Sequence, residues 1–230
     1  SEEKAGGRDN RYHKNDDCRI VSSWGEAHVK GYDPEGMKAR YLQCRKTIAG
    51  MLNRDEYGKY VARMKDAGKD EDEIDDYNLW TTHRITEEMS QRDRRWLYDG
   101  TTPEPSVESA RAWSELQKHE RKTLDALKDN GFAVTVRERS DKQGVKTSDA
   151  IINGKRVDFK APEGHGKNTI DQLLRSAARQ GDAAVIHLQK ERTELDAEAC
   201  KDYIRSSLRR RRLDYVLLID YDGNIVRVER

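Results

Sequence analysis

Between Asp33 and Gly100 the apolar positions recur at helical spacing and strand-like alternation is absent. In "DPEGMKARYLQCRKTIAGML" Met37, Tyr41, Cys44, Ile48 and Leu52 mark one face, and Asp33-Pro34 reads as a cap and first turn. The segments "RDEYGKYVARMKDAG", "DEIDDYNLWTTHRI" and "TEEMSQRDRRWLYDG" continue the pattern, the last with Thr86 and Glu88 at its start. Residues 21–100 therefore read as an all-helical module behind a polar, Gly-containing lead-in at 1–20.

The pattern changes after the Pro-marked linker at 101–106. "SARAWSELQKHERKTLDALKDNG" predicts one long amphipathic helix stopped by Gly131, and "FAVTVRER" alternates like a strand. "SDAIING" and "KRVDFKAP" are two short strands around Asn153-Gly154, residues that tolerate the left-handed backbone of a tight hairpin. "NTIDQLLRSAARQG" and "AEACKDYIRSSLRR" read as helices, leading to the strands "AAVIHL" and "DYVLLID", and Asp222-Gly223 turns the chain into "NIVRVE". The order helix, three strands, helix, strand, helix, two strands predicts an α/β domain over 107–230, a mixed sheet flanked by helices.

At 230 residues the chain has room for one ample domain or two small ones. Hydrophobic residues are 34% and charged residues 38%, a balance that thins the core and suits helices with broad solvated faces. The formal charge is +1, so a polyanion partner has to be met by local clusters. "RRRR" at Arg209 to Arg212 is one such cluster; offsetting the negative end of its own helix is the competing account. Three cysteines without a Cys-x-x-Cys pair argue against a disulfide framework and a thiolate zinc site. "SEEKAGGRDN" lacks an apolar signal region and "DYVLLIDY" is far too short to span a bilayer, so no membrane partner is expected. The expected location is the cytosol, with the chain as the released part of a longer secreted or virion protein as an option.

The candidate chemistry lies in "TSDAIINGKRVDFKAP". Asp158 and Lys160 are two apart on a strand and share a face, while Val157 and Phe159 take the other. The Asn153-Gly154 turn folds the Asp149 strand back beside them. Two carboxylates this close repel unless a cation separates them, and a hard divalent ion with oxygen ligands is the usual solution. A lysine beside such an ion stabilises charge on a phosphate oxygen or orients a water. The plain alternative is a hairpin in which Asp158 and Lys160 form an ordinary ion pair and Asp149 caps a turn.

Taken in order, "HERKTLDALKDNGFAV", "SDAIINGKRVDFKAP", "GKNTIDQLLRSAARQGDAAVIHL" and "DYVLLIDYDGNIVRVE" resemble the PD-(D/E)XK nuclease superfamily. The likeness is closer to the C-terminal tRNA-nuclease toxin domain of contact-dependent inhibition (CdiA) proteins, over about residues 107–230. Ser148 stands where the eponymous proline would be, and the last acid is Asp. The resemblance implies a metal-dependent ribonuclease toxin acting on tRNA. Glu120 corresponds to the helix acid, Asp149 and Asp158 to the metal-binding acids and Lys160 to the catalytic lysine, with Glu115 as a competing helix acid. The implied cofactor is a divalent metal, magnesium foremost, with manganese or zinc as options. The implied partner besides tRNA is a cognate immunity protein, and the implied place of action is the cytoplasm of a target cell.

The helix after "EGHG" offers Lys167, Asn168 and Gln172 near its N-terminus, which favours an anion, and Arg175 and Arg179 further along one face, all read as substrate contacts. A solvated face of an ordinary helix is the alternative, for Arg179 more than for Lys167 and Gln172. His165 reads as a loop residue, and His187 as facing outward or a polar pocket. "YHKNDDCRIVSSWG" resembles the tail of phage minor head (Mu F-like) proteins through His13 and Cys18, which implies a toxic cargo end of a head protein. A DNase of the same fold and a non-catalytic head or interaction module remain the alternatives.

Overall fold

Capping residues set the helix boundaries. In the computed structural model, which describes residues 33–141, 147–164 and 166–230, the Asp33 carboxylate accepts from Gly36 N at 2.9 Å and opens α1 (Pro34–Thr47), which is followed by a short 3-10 turn at Ala49–Met51. Asn53 caps α2 (Arg54–Asp66), Asp76 caps α3 (Tyr77–Met89) and Asp93 caps α4 (Arg94–Asp99), which stops at Gly100 with φ 78. Two expectations shift here. "DEIDDYNLWTTHRI" continues as α-helix only from Tyr77, where Asp76 takes the N–H groups of Asn78 and Leu79. "TEEMSQRDRRWLYDG" is not one helix: its first residues close α3, and Asp93 starts another by accepting from Arg95 and Trp96.

The linker ends in structure, as β1 (Ser106–Val107). The single long helix expected next is two, α5 (Ala110–Glu115) and α6 (Lys118–Asp129). They part at Leu116, whose ψ of 124 leaves the helical region, and Glu120 reaches back to accept from Gln117 N at 2.7 Å in a capping box. Then follow β2 (Val134–Val136), β3 (Ala150–Ile152), β4 (Lys155–Lys160), α7 (Lys167–Ala177), β5 (Ala183–His187), α8 (Ala197–Leu208), β6 (Val216–Ile219) and β7 (Ile225–Val228). The β3–β4 hairpin turns on Asn153 (φ 51) and Gly154 (φ 75), as the sequence leads one to expect.

The seven strands form one sheet in chain order from β1 to β7. β1–β2, β4–β5 and β5–β6 are parallel; the other pairs are antiparallel. The crossovers through α7 and α8 run the same way along the sheet, so the shared handedness of such connections lays both helices on one face. They bury Ile170, Leu174 and Ile204 against Ala184, Ile186 and Leu218. On the other face α6 buries Leu124 and Leu127 against Val157, Phe159, Val185 and Leu217. The α/β class with a mixed sheet is what forms.

The N-terminal helices pack against the β7 side of this sheet. Gln43 donates to Asn130 at 2.6 Å, and Arg92 stacks 3.6 Å above the Phe132 ring. A buried ion pair, Arg92 to Glu88 at 2.8 Å, continues to Arg227 of β7 at 3.4 Å. Asp33–Arg230 is one compact unit, and the expected division at 101–106 runs through it.

Candidate active site

The hairpin register brings the two aspartates together. Ala150 pairs with Val157 across β3 and β4, so one step further Asp149 stands opposite Asp158. Asp149 Oδ2 accepts the N–H of Phe159 at 2.7 Å. Alternation along β4 sends Val157 and Phe159 into the core under α6, and sends Asp158 and Lys160 to the face that α7 covers. Asp158 is 1% exposed, and Lys160 Nζ lies 2.5 Å from its Oδ2. The ion pair of the plain hairpin reading is thus present, but beside a second acid, Asp149, whose side chain is 10% exposed.

Glu120 reaches the same place from the first turn of α6 and is 4% exposed. Its carboxylate accepts from Arg139 at 2.8 and 3.1 Å, and Arg139 lies 3.8 Å from Asp149 Oδ1. All four residues of the resemblance, Glu120, Asp149, Asp158 and Lys160, line one open cavity of about 630 Å³. Thr169, Gln172 and Leu173 of α7 form one wall, and Gln180, just past its end, lies 3.5 Å from Asp158 Oδ2. His119 and an Arg192–Glu163 ion pair also line it. Ser148 is buried and accepts from Arg137 at 3.0 Å.

Burial pushes the Asp149 carboxyl up to about 7, and the charge of Asp158 adds to the rise. Burial also lowers the His119 imidazole below its ordinary value, against the opposing pull of Glu120. The cavity thus concentrates negative charge that its own lysine and arginine do not fully neutralise.

Among the described residues no three His, Cys, Asp or Glu side chains converge as a ready-made metal cage. Magnesium is commonly held by one or two carboxylates, its other positions filled by water and substrate phosphate. The adjacent Asp149 and Asp158, with the proton affinity of Asp149 raised, fit that donor set. Glu120 fits it less well, since its oxygens already accept from Gln117 N and Arg139.

The structure does not gather every expected substrate contact. Gln172 lines the cavity; Lys167 and Asn168 are exposed in the first turn of α7 and do not. Arg175 lies off the cavity wall, 3.8 Å from Asp171, and Arg179 is exposed at the helix end. Residues 169, 172 and 173 share the cavity face of the helix while 171 and 175 share another, which is why Arg175 misses it; Arg179 lies beyond the last turn of α7. Arg210 and Arg211 of the arginine run close onto Asp171 at 2.9 and 2.8 Å. His187 is half-buried beside Thr123 and Gln189, at 3.1 and 3.3 Å. Glu115 pairs with Arg111 and lines no part of the cavity. His13, Cys18 and His165 lie outside the described residues.

His119, Arg139, Gln180 and Arg192 are among the cavity residues that sequence reasoning missed. His119 was legible as the neighbour of Glu120; the others come from a strand exit and two loops, with no spacing to the hairpin that marks them.

Residues 146–225, about a third of the chain, match the family model of the contact-dependent growth inhibition CdiA C-terminal domain. That range takes in Asp149, Asp158 and Lys160 and leaves out Glu120. Residues 1–44 match the family model of the VG15 protein. No curated protein matches the chain. Among solved structures, a "CdiA-CT/CdiI toxin and immunity complex" from Burkholderia pseudomallei is 25% identical, over 47% of this chain and 80% of its own, at a TM-score of 0.37, too loose a likeness to carry an argument.

Proposed function

We propose that residues 107–230 are a metal-dependent nuclease of the PD-(D/E)XK type, a toxin of the CdiA C-terminal kind that cleaves RNA, tRNA foremost. One observation carries this reading. Asp158, buried, and Asp149, its side chain 10% exposed, stand side by side in the lining of an open cavity with Lys160 beside them. A purely structural hairpin gains nothing from two adjacent acids largely withdrawn from water, whereas a site that binds a cation and a phosphate needs them. The family match over 146–225 supports the toxin class.

In this reading Asp149 and Asp158 hold a divalent cation, magnesium foremost with manganese or zinc as options. When bound, the ion supplies a Lewis acid that polarises the phosphate and lowers the pKa of water. Lys160, 17% exposed along its side chain, presents its ammonium to the oxygen on which charge builds. Arg139, 41% exposed, grips a phosphate from the mouth while Glu120 fixes its guanidinium. Gln172 and Gln180 donate to the substrate from the α7 wall. The tRNA preference, a cognate immunity protein, and delivery into a target cell's cytoplasm within a larger secreted or phage-associated protein rest on the resemblance. No helix among the described residues is long and apolar enough to cross a membrane.

The test incubates the full chain with total RNA and with plasmid DNA, each with chelator and with added magnesium, manganese or zinc. Metal-dependent loss of tRNA with DNA intact is the expected result. Cleavage of DNA alone makes the protein a DNase of the same fold, and no cleavage of either makes it a non-catalytic module.

A further inference from the structure

Away from the active site, a groove of about 680 Å³ runs between α2 and α3 on one side and α8 and the end of β7 on the other, sharing no lining residue with the first cavity. Its charges do not balance. Three of the four acids on its wall are matched by a cation, Glu56 by Lys59 at 2.6 Å, Glu87 by Arg84 at 2.8 Å and Glu229 by Arg227 at 2.7 Å, and the fourth, Asp75, lies 2.9 Å from the His83 ring. Arg63, Arg209 and Arg230 are left over, all exposed and none in an ion pair with a described residue, and Arg230 donates to the Arg211 carbonyl. Arg205, one helical turn before Arg209, pairs with Asp202 outside the groove at 2.9 Å. The arginine run therefore divides: Arg210 and Arg211 turn to Asp171, and Arg209 turns into the groove.

Two aromatic side chains, Tyr60 and Trp80, line the same groove. Tyr60 is half-buried and stands against Trp80, their ring centroids 6.2 Å apart. Guanidinium groups and a partly exposed ring lining one groove are the chemistry that holds a nucleic-acid strand, phosphates on the cations and a base against the ring.

We propose that this groove is a second RNA-binding site, in which Arg63 and Arg209 hold substrate phosphates away from the cleaved bond. It rests on RNA being the substrate, and it assigns the helical segment a role in binding: half of the site comes from α2 and α3. Because each residue lies on a different side of the groove, the site exists only with the helices and the sheet packed as one unit.

The test measures binding of fluorescently labelled tRNA to the full chain in chelator, so that cleavage does not interfere, at several salt concentrations. Two phosphate contacts contribute roughly 1.4 to 1.8 to the slope of log affinity against log salt. R63Q/R209Q is expected to lose that much slope and to bind about tenfold more weakly near physiological salt. Both positions are exposed, so the variant should match the wild type in circular dichroism and melting. Its cleavage of a short oligonucleotide that fills only the active-site cavity should be unchanged, while KM for tRNA rises. An unaltered slope overturns the proposal and leaves the groove to an acidic protein surface; absence of tRNA binding by the wild type overturns it as well. If the slope falls as expected but no metal supports cleavage, the groove stands and the nuclease reading falls.

Discussion

Lys160 Nζ lies 2.5 Å from Oδ2 of Asp158, two residues earlier on the same strand, both on the face that α7 covers. The pair is a working arrangement only if its members fail differently. Asp158→Ala removes a buried oxygen donor, so divalent-cation binding and cleavage should fall together. Lys160→Ala leaves both aspartates and removes a competing positive charge. Cation binding should persist or tighten, while single-turnover cleavage drops by roughly a hundredfold or more. Calorimetric titration of magnesium beside cleavage assays separates the two. Full activity in a folded Asp158→Ala protein would falsify the site.

Two partly buried groups give opposite pH dependences. Asp149 titrates near 7 in the native state against an ordinary value of 3.8, so between those values the native state holds a proton that the unfolded chain has lost, and stability falls as pH rises. Burial lowers His187 to about 4 from 6.5, so from pH 4 to 6.5 the unfolded chain holds the extra proton, and stability rises with pH. In chelator the wild type should be nearly flat over the shared window. Asp149→Asn should uncover a rising slope of up to about 1.4 kcal/mol per pH unit, and His187→Gln a falling one. Urea unfolding from pH 4 to 7.5 reads this; parallel curves for Asp149→Asn and wild type would show that Asp149 titrates normally.

Glu120 does two jobs that substitution can separate. It caps α6 through Gln117 N and holds Arg139. Glu120→Gln should cost about 1 kcal/mol of stability and part of the activity. Arg139→Ala, at a half-exposed position, should leave the melting temperature unchanged but raise KM for RNA. If Arg139→Ala lowers stability as much as Glu120→Gln, the arginine is a structural clamp and not a phosphate contact.

Gly131 has φ 80, and a Cβ there would overlap the Trp96 indole. Gly131→Ala should therefore destabilise the protein by about 3 kcal/mol, from left-handed strain plus overpacking between α4 and the turn into β2. Removing residues 33–100 altogether exposes Phe132 and takes Glu88 away from Arg227, and should lower the melting temperature by roughly 10 °C. Differential scanning calorimetry of both proteins checks the coupling; a fragment 101–230 that melts with the full-length chain would make the helices a separate module.

Local pattern alone determined the helix and strand order after Gly131, the Asn153-Gly154 hairpin, and the shared face of Asp158 and Lys160. Each depends on a period of two or 3.6 residues or on a turn chemistry confined to neighbours in the chain. The break at Leu116 and the restart at Asp93 were less legible, because a side chain that can cap is also acceptable within a solvated helix. Only the tertiary structure decided that Arg139, Gln180 and Arg192 enter the cavity while Arg175 and Arg179 do not. It also decided that the arginine run splits between Asp171 and a groove, and that the N-terminal helices close onto Phe132 and β7. The physical reason is common to all of these. A charged side chain on a solvated helix or loop obeys no periodicity, and its partner is set by whichever distant element packs beside it.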